Sequence, residues 1–317
     1  MDKAIDITAP LVSLIVITYN SSKYIIETLE SVKQQTYKNI ELIISDDCSS
    51  DNTVELCEGW LDSNLGYFED VKMLVADSNI GISGNCNKGI FNSNGEWLKI
   101  MAGDDILHKD CIDVNIEFIR HNPKTRILIS QYQVFNQVLH PSNFLSVRPN
   151  EDLVPFFNMN VAEQYTFMIS KTPSLVIGLF IQKSALGEIN GFDNRFRNID
   201  DVPLLINLLK HKLRFDFMPI ITVFYRINLE SMSHQKSEFY KKLIKDAFKV
   251  YLLLRRPYLS SEYKIHNDLY FVSEYLNTYL LRYINFSFGQ KVARLIMQLS
   301  PVQHRLRKKI RQKITAI

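Results

Sequence analysis

With 317 residues, 46% hydrophobic and 22% charged, the chain has the composition of a soluble globular protein able to fill one large domain plus an appendage, or two domains. No run approaches the roughly 18 apolar residues of a membrane span, and Cys48, Cys57, Cys86 and Cys111 show no CxxC spacing, which argues against a zinc site or a disulfide framework and fits a reducing cytoplasm. The formal charge of +3 is uneven: from Gly289 onward there are eight Lys or Arg and no Asp or Glu, which leaves −5 for the rest.

The N-terminal apolar stretch lacks a small-residue cleavage site, so LVSLIVIT at 11–18 reads as a buried strand rather than a signal peptide. It ends at Tyr19-Asn20-Ser21-Ser22, and Ile25, Leu29 and Val32 then recur at helical spacing. A second strand, Ile40 to Ser45, stops at Asp46-Asp47, and Ser49 to Thr53 offers caps for a helix through Val54, Leu56, Cys57 and Leu61. A third strand, Val71 to Val75, leads into the glycine-bearing loop Asn79 to Asn85 and another helix. Asn94-Gly95 is a turn signal. Behind it Trp97, Leu98, Ile100 and Met101 make a short strand that breaks at Gly103 and leaves Asp104 and Asp105 at its carboxyl end.

Strand alternating with helix four times predicts an α/β fold with a doubly wound, mostly parallel sheet. Three strand ends then carry polar clusters, Thr18-Tyr19-Asn20, Asp46-Asp47 and Asp104-Asp105. In open α/β sheets ligands bind in the crevice outside the carboxyl ends of the strands. Adjacent carboxylates there repel unless a cation or hydrogen-bond donors hold them, and a hard divalent metal carrying phosphate oxygens suits them. The plainer reading of Asp104-Asp105 is a solvated turn capping the next helix. There is no Walker P-loop, and GISGNCNKG lacks GxGxxG spacing, which disfavours dinucleotide and P-loop sites.

Pro141 to Lys171 is polar, aromatic and weakly periodic, a candidate acceptor region. SLVIGLFIQ at 174–182 reads as a strand and Lys183 to Ile189 as a short helix. Asp200-Asp201 precede Pro203 and the helical spacing of Leu204, Leu205, Leu208 and Leu209, so on their own they read as helix-capping carboxylates. Arg226 is either a fork donor to substrate oxygens or a surface arginine ending a strand, and His234 reads as an ordinary loop residue.

After about residue 236 the pattern is helix alone, first through Phe239 to Leu252 and then from Ile265 to Tyr283. At the end, Leu306, Ile310, Ile314 and Ile317 are spaced helically among Arg305, Arg307, Lys308, Lys309, Arg311 and Lys313. A basic amphipathic helix suits an anionic membrane surface. A solvated charged terminus and nucleic-acid binding are the other readings of such a segment, and the membrane is preferred over nucleic acid.

The set VSLIVITYN (12–20), IELIISDDCSSDNT (40–53), NIGISGNCNKGI (79–90), NGEWLKIMAGDD (94–105) and GFDNRFRNIDD (191–201) resembles the family 2 glycosyltransferases, inverting enzymes of GT-A fold. YRINLESMS at 225–233 is a weaker match. The resemblance implies a GT-A domain over 1–235 and a helical region over 236–317 with a basic tail. It implies a nucleotide-sugar donor, UDP-linked by preference, held through Thr18, Tyr19, Asn20 and Asp46 or Asp47, with Asn79, Gly81 and Asn87 shaping the pocket floor. The family's DxD metal motif falls on Ala102-Gly103-Asp104, so Ala102 stands where the first carboxylate usually is; Asp104, with Asp105, is left for Mn²⁺ or Mg²⁺. Asp201 would be the general base, with Asp200 as the other candidate. The QxxRW motif of processive synthases is absent, which favours transfer of one sugar. The acceptor would be a surface polysaccharide or lipid-linked glycan at the inner face of a membrane. A degenerate transferase fold serving as a nucleotide-binding scaffold is the alternative that Ala102 raises.

Overall fold

A computed structural model describes residues 9–227 and 238–275. They fall into two compact units, Met1–Met168 with Thr172–Ser231, and Ile169–Lys171 with Met232–Ile317.

The first unit is built on one sheet. Its strands are β1 (Val12–Thr18), β2 (Ile40–Asp46), β3 (Asp70–Val75), β4 (Trp97–Ala102), β5 (Ile106–Leu107), β6 (Ile127–Asn136), β7 (Phe144–Arg148), β8 (Leu179–Gln182) and β9 (Asp216–Ile227). The helices are α1 (Ile25–Lys33), α2 (Thr53–Asp62), α3 (Ile82–Phe91), α4 (Cys111–His121), α5 (Val154–Phe157), α6 (Val161–Lys171), α7 (Lys183–Glu188) and α8 (Asp201–Lys210). The strand order is β3-β2-β1-β4-β8-β6-β9-β5, with β7 paired to β6.

β1 lies between β2 and β4, Val12 level with both Ile40 and Trp97, and all three pairings of the first four strands are parallel. Leu14, Val16, Leu42 and Ile44 are fully buried against Leu29, Val32 and Cys57 of the covering helices, as continuous apolar strands require. From β5 onward the sheet is mixed rather than mostly parallel. β4–β8, β6–β8, β6–β7 and β5–β9 are antiparallel, while β6–β9 returns to parallel. Parallel neighbours need a crossover of a dozen or more residues. β6 and β7 are joined only through 137–143 and therefore form a hairpin.

Two buried ions shape the sheet around β4. Glu41 on β2 is fully buried, and its carboxylate accepts from the Ser13 hydroxyl, from Lys72 Nζ at 2.6 Å and from the Asn94 N–H at 2.7 Å. Burial alone would raise its carboxyl, but the Asn94 N–H, Lys72 and Ser13 outweigh burial and hold it below the ordinary carboxylate value. The Asn94-Gly95 turn that launches β4 is thus tied to the neighbouring strand. Lys99, in the middle of β4, is also fully buried and donates to the carbonyls of Ile177 at 2.7 Å and Leu179 at 3.3 Å. These bonds account for a departure from the expected strand at 174–182: Val176–Gly178 is a 3-10 turn and only Leu179–Gln182 is extended. A Cβ on Gly178 would lie 2.1 Å from the Ser130 carbonyl oxygen, so the turn packs directly on β6.

In the second unit, α9 (Glu238–Val250) passes through a π turn over Tyr251–Arg255 and a 3-10 turn at Arg256–Tyr258 into α10 (Ser261–Tyr275). Tyr251 stacks on Phe271 with ring centroids 5.0 Å apart, and its hydroxyl donates to Asp268 at 2.6 Å. The later helical spacing up to Tyr283, the loop with His234 and the basic segment from Arg305 lie outside the described residues. Among those described, no helix is long and apolar enough to cross a membrane.

Candidate active site

The carboxyl ends of β1, β2 and β4 meet at one edge of the sheet, and that of β9 joins them through β6, which runs parallel to it. The loops there are cross-linked by side chains. Thr18 donates its hydroxyl to Asp46 at 2.7 Å, and the Ser49 N–H and hydroxyl donate to the same carboxylate at 2.7 and 2.6 Å. Asp46 is fully buried, so it holds the loops rather than presenting itself to a ligand. Asn20 takes a left-handed conformation, φ 51°, which suits asparagine at a tight turn. Its N–H donates to the Ser49 hydroxyl at 2.8 Å and its side-chain oxygen accepts the Ser50 N–H at 2.8 Å. Tyr19 is 45% exposed at this rim.

Asp47, Gly81 and Asn87, which the family resemblance puts in the nucleotide pocket, make protein contacts on the neighbouring loop. The Asp47 carboxylate accepts the N–H groups of Ile80 at 2.6 Å and Gly81 at 2.9 Å, while burial raises its carboxyl. Asn79 donates to the Asp47 carbonyl at 3.4 Å, and its own carbonyl accepts from Arg197 at 2.6 Å. The Asn87 side chain imitates a backbone pair: its oxygen accepts the Phe192 N–H at 2.8 Å and its amide donates to the Phe192 carbonyl at 2.8 Å. Ser83 donates to the Phe196 carbonyl at 2.8 Å and the Ile82 N–H to the Arg197 carbonyl at 3.0 Å. The segment that delivers Asp200-Asp201 to α8 is therefore strapped to the start of α3, and through Asp47 to β2.

Gly191 sits in this strap at φ 74°, and a Cβ there would come 2.3 Å from the Asn87 side-chain oxygen. Gly191→Ala combines a left-handed backbone with a clash, so it is expected to cost roughly 2–4 kcal/mol in a urea melt. An unchanged midpoint would show that the strap is not rigid.

Asp104 and Asp105 follow β4 through Gly103, where a Cβ would lie 2.9 Å from the Thr18 methyl, so only glycine lets the turn pack this closely on β1. The two carboxylates face different surroundings. Asp105 is 4% exposed, accepts the Arg226 N–H at 3.1 Å, and is pushed well up by burial and then by the charge of Asp104. The half-buried Asp104 is also raised by burial, with the Arg226 charge and its own backbone N–H opposing. Arg226 is neither a surface residue nor open to substrate; it is 4% exposed and bonded to main chain.

Asp200 and Asp201 open α8, and neither acts as a side-chain cap of the conventional kind. Asp201 accepts the adjacent Val202 N–H at 2.7 Å. Burial and the neighbouring Asp201 push the Asp200 carboxyl up to about 7, while Asp201 is raised mainly by burial. Tyr132 of β6 and Tyr225 of β9 meet edge to face at 6.1 Å. Burial raises both phenols, Tyr132 to about 12, and both also feel the charges of Asp105 and Asp201. Members of two acid pairs almost a hundred residues apart in the chain, Asp105 and Asp201, thus both act on this one tyrosine pair. The sequence reading missed this tyrosine pair; the only signal was an aromatic on each of two long strands that the fold makes adjacent.

These residues fit a divalent ion only in part. No group of three His, Cys, Asp or Glu side chains among those described could hold one alone. The half-buried Asp104 carboxylate, which receives only its own backbone N–H, fits a cation that arrives with phosphate oxygens supplying the rest of its shell.

Residues 13–174 match the family described as Glycosyl transferase family 2. The chain is 26% identical over 266 residues to the amylovoran biosynthesis glycosyltransferase AmsB of Erwinia amylovora, covering 80% of this chain and 82% of that protein. It is 30% identical over 122 residues to the glycosyltransferase GlyG of Streptococcus pneumoniae, spanning 38% of this chain and only 39% of the relative. Its fold is similar to S. aureus TarS 1-349 in complex with UDP-GlcNAc, TM-score 0.56 at 18% identity over 87% of this chain and 75% of that one. It is also similar to the mannosyltransferase PcManGT of Pyrobaculum calidifontis in complex with GDP-Man and Mn²⁺, TM-score 0.54 at 15% identity over 97% and 81%. Strand order, the acid pairs at one sheet edge and the match over half the chain agree: this protein belongs to glycosyl transferase family 2 and has the GT-A type of α/β fold.

Proposed function

We propose that the protein is an inverting glycosyltransferase that moves one sugar from a nucleotide-sugar, a UDP-sugar by preference, to an acceptor hydroxyl in surface-polysaccharide or lipid-linked glycan assembly. The observation that carries this reading is the Tyr132–Tyr225 pair, which feels the charges of both Asp105 after β4 and Asp201 at the start of α8. Similarity to AmsB, named for amylovoran biosynthesis, supports the polysaccharide context. Tyr19 and the Asn20 turn form the rim against which the nucleoside lies, with Thr18, Asp46, Asp47, Asn79, Gly81 and Asn87 building the wall behind it. Asp104 would hold Mn²⁺ or Mg²⁺ together with the donor's diphosphate, with Asp105 as the buried charge beside it. When bound, that ion neutralises charge on the departing diphosphate.

Asp201 takes the proton of the acceptor hydroxyl as that oxygen bonds to the anomeric carbon. The bond from that carbon to the diphosphate breaks on the opposite face, and the nucleoside diphosphate leaves with the electron pair. One carboxylate base suffices for such a displacement, unlike the acid and base pair of a hydrolase. Burial and the neighbouring Asp201 raise the Asp200 carboxyl to about 7, which favours Asp201 over Asp200 as the base in this reading. Work at the inner face of an anionic membrane, through the basic tail from Arg305, belongs to the same proposal.

A thermal-shift panel of UDP, GDP, dTDP and CMP, each with Mn²⁺, Mg²⁺ or EDTA, tests the reading on wild type and Asp104→Asn. Ligand bound only by the folded state raises the melting temperature, by about 2.7 kcal/mol of stabilisation at a hundredfold excess over Kd. One nucleotide should give a metal-dependent shift that Asp104→Asn loses. No shift with any of them would favour the scaffold alternative raised by Ala102.

A further inference from the structure

Arg226 was a candidate for gripping substrate oxygens, yet its side chain is only 3% exposed and is committed inward. Its Nε donates to the Asp104 carbonyl at 2.9 Å, one terminal nitrogen to the Gln137 carbonyl at 2.9 Å, and the other to the Glu27 carboxylate at 2.6 Å. The guanidinium carbon lies 4.0 Å from the centroid of the Tyr24 ring. Its own backbone N–H donates to Asp105 at 3.1 Å. One side chain thus joins α1, which follows the Tyr19-Asn20 rim, to the turn after β4, the end of β6 and the end of β9.

We propose that Arg226 is a positioning residue that sets where the Asp104 carboxylate points. The bond to the Asp104 carbonyl fixes the peptide from which that side chain emerges. The Arg226 backbone N–H, which any residue here would supply, holds Asp105 inward, and the side chain acts on the half-buried Asp104 alone. Gly103 offers no steric restraint of its own, and Ala102 brings no second carboxylate to orient the site. The direction of the remaining acid therefore depends on main-chain restraint from outside the turn. A lysine could not do the same, because an ammonium is a point donor on a flexible stem, whereas the planar fork reaches carbonyl, carbonyl and carboxylate at once. The idea rests on the role proposed for Asp104, but its structural half can be read without it.

The experiment compares wild type, Arg226→Lys and Glu27→Gln by hydrogen exchange of a peptide covering 102–108, and by nucleotide binding with Mn²⁺ or EDTA, using UDP and GDP as probes. Arg226→Lys, melting within a few degrees of wild type, should exchange about tenfold faster in that peptide while peptides from β1 and β2 are unchanged. It should also lose about tenfold of the affinity gained on adding Mn²⁺, with affinity in EDTA preserved, the size expected for charge-assisted bonds to a buried partner. Unchanged exchange at 102–108, or an undiminished Mn²⁺ gain, overturns the proposal. A purely structural role would instead lower the melting temperature and weaken binding equally with and without metal, which also overturns it. If Arg226→Lys loses its cooperative melt, Glu27→Gln decides: it keeps the arginine, loosens one strut and should raise exchange at 102–108 by a smaller factor, and no rise rejects the idea. Wild type that gains nothing from Mn²⁺ with either nucleotide sinks the functional reading of Asp104, while the exchange comparison still settles what Arg226 does.

Discussion

Asp201→Asn is expected to slow sugar transfer by on the order of a hundred- to ten-thousand-fold, the range over which a positioned general base contributes. Asparagine keeps the shape of aspartate but cannot accept the acceptor's proton, so the loss should fall on kcat rather than on donor affinity. The variant should retain the nucleotide-dependent thermal shift of wild type, because Asp201 begins α8 while the proposed nucleoside rim is formed after β1. Nucleoside diphosphate release, assayed with the donor that the shift panel identifies, is the measurement. Transfer within tenfold of wild type would remove Asp201 from the role of base. Loss of nucleotide binding together with turnover would mean that the strap holding this segment had been disturbed, since it also fixes the Asn79 loop through Arg197.

Asp200→Asn is expected to do something quite different. Burial, and then Asp201, raise the Asp200 carboxyl from an ordinary 3.8 to about 7. The folded protein therefore binds a proton that the unfolded chain releases, and the contribution to stability is fully present below the unfolded value. It declines as pH rises from about 4 through about 7 and is gone above that. At pH 8 wild type bears two adjacent ionised carboxylates, with an upper bound of roughly 4 kcal/mol for a shift of this size. The neutral amide introduced by Asp200→Asn would imitate the protonated form and remove that penalty. The variant should melt several degrees above wild type at pH 8, with the difference shrinking towards pH 5, as buffered thermal melts across that range would show. It should also keep transfer within about tenfold, since the proposed base is Asp201 and not Asp200. A variant less stable than wild type at pH 8 would contradict the burial argument. Loss of transfer as severe as in Asp201→Asn would make Asp200 the base.

The parallel half of the sheet was legible because its cause is local. LVSLIVIT and IELIIS are continuous apolar runs that can be satisfied only by burial on both faces, and the helices between them leave a parallel arrangement as the economical solution. The strand-end carboxylates were legible for the same reason, since polar residues that interrupt such runs mark the sheet edge. The mixed half was not. β8 is shortened by Lys99, a lysine in the middle of an apolar strand whose ammonium gathers the carbonyls of Ile177 and Leu179 from almost eighty residues away. Nothing in the spacing of 174–182 announces that.

Within the site, residue type and order along the chain determined which groups are candidates, and the ordered motifs from Val12 to Asp201 determined the family. Only the tertiary structure decided which of them can face a ligand. Asp46 and Asp47 look alike in sequence, as do Asp104 and Asp105, but each member of a pair meets different donors once distant segments pack around it. Asp47 receives Ile80 and Gly81, and Asp105 receives Arg226, so these acids hold loops, while the half-buried Asp104 receives only its own backbone N–H. Adjacent carboxylates have the same chemistry and differ only in which long-range hydrogen bonds reach them; that is a property of packing, and local pattern does not encode it.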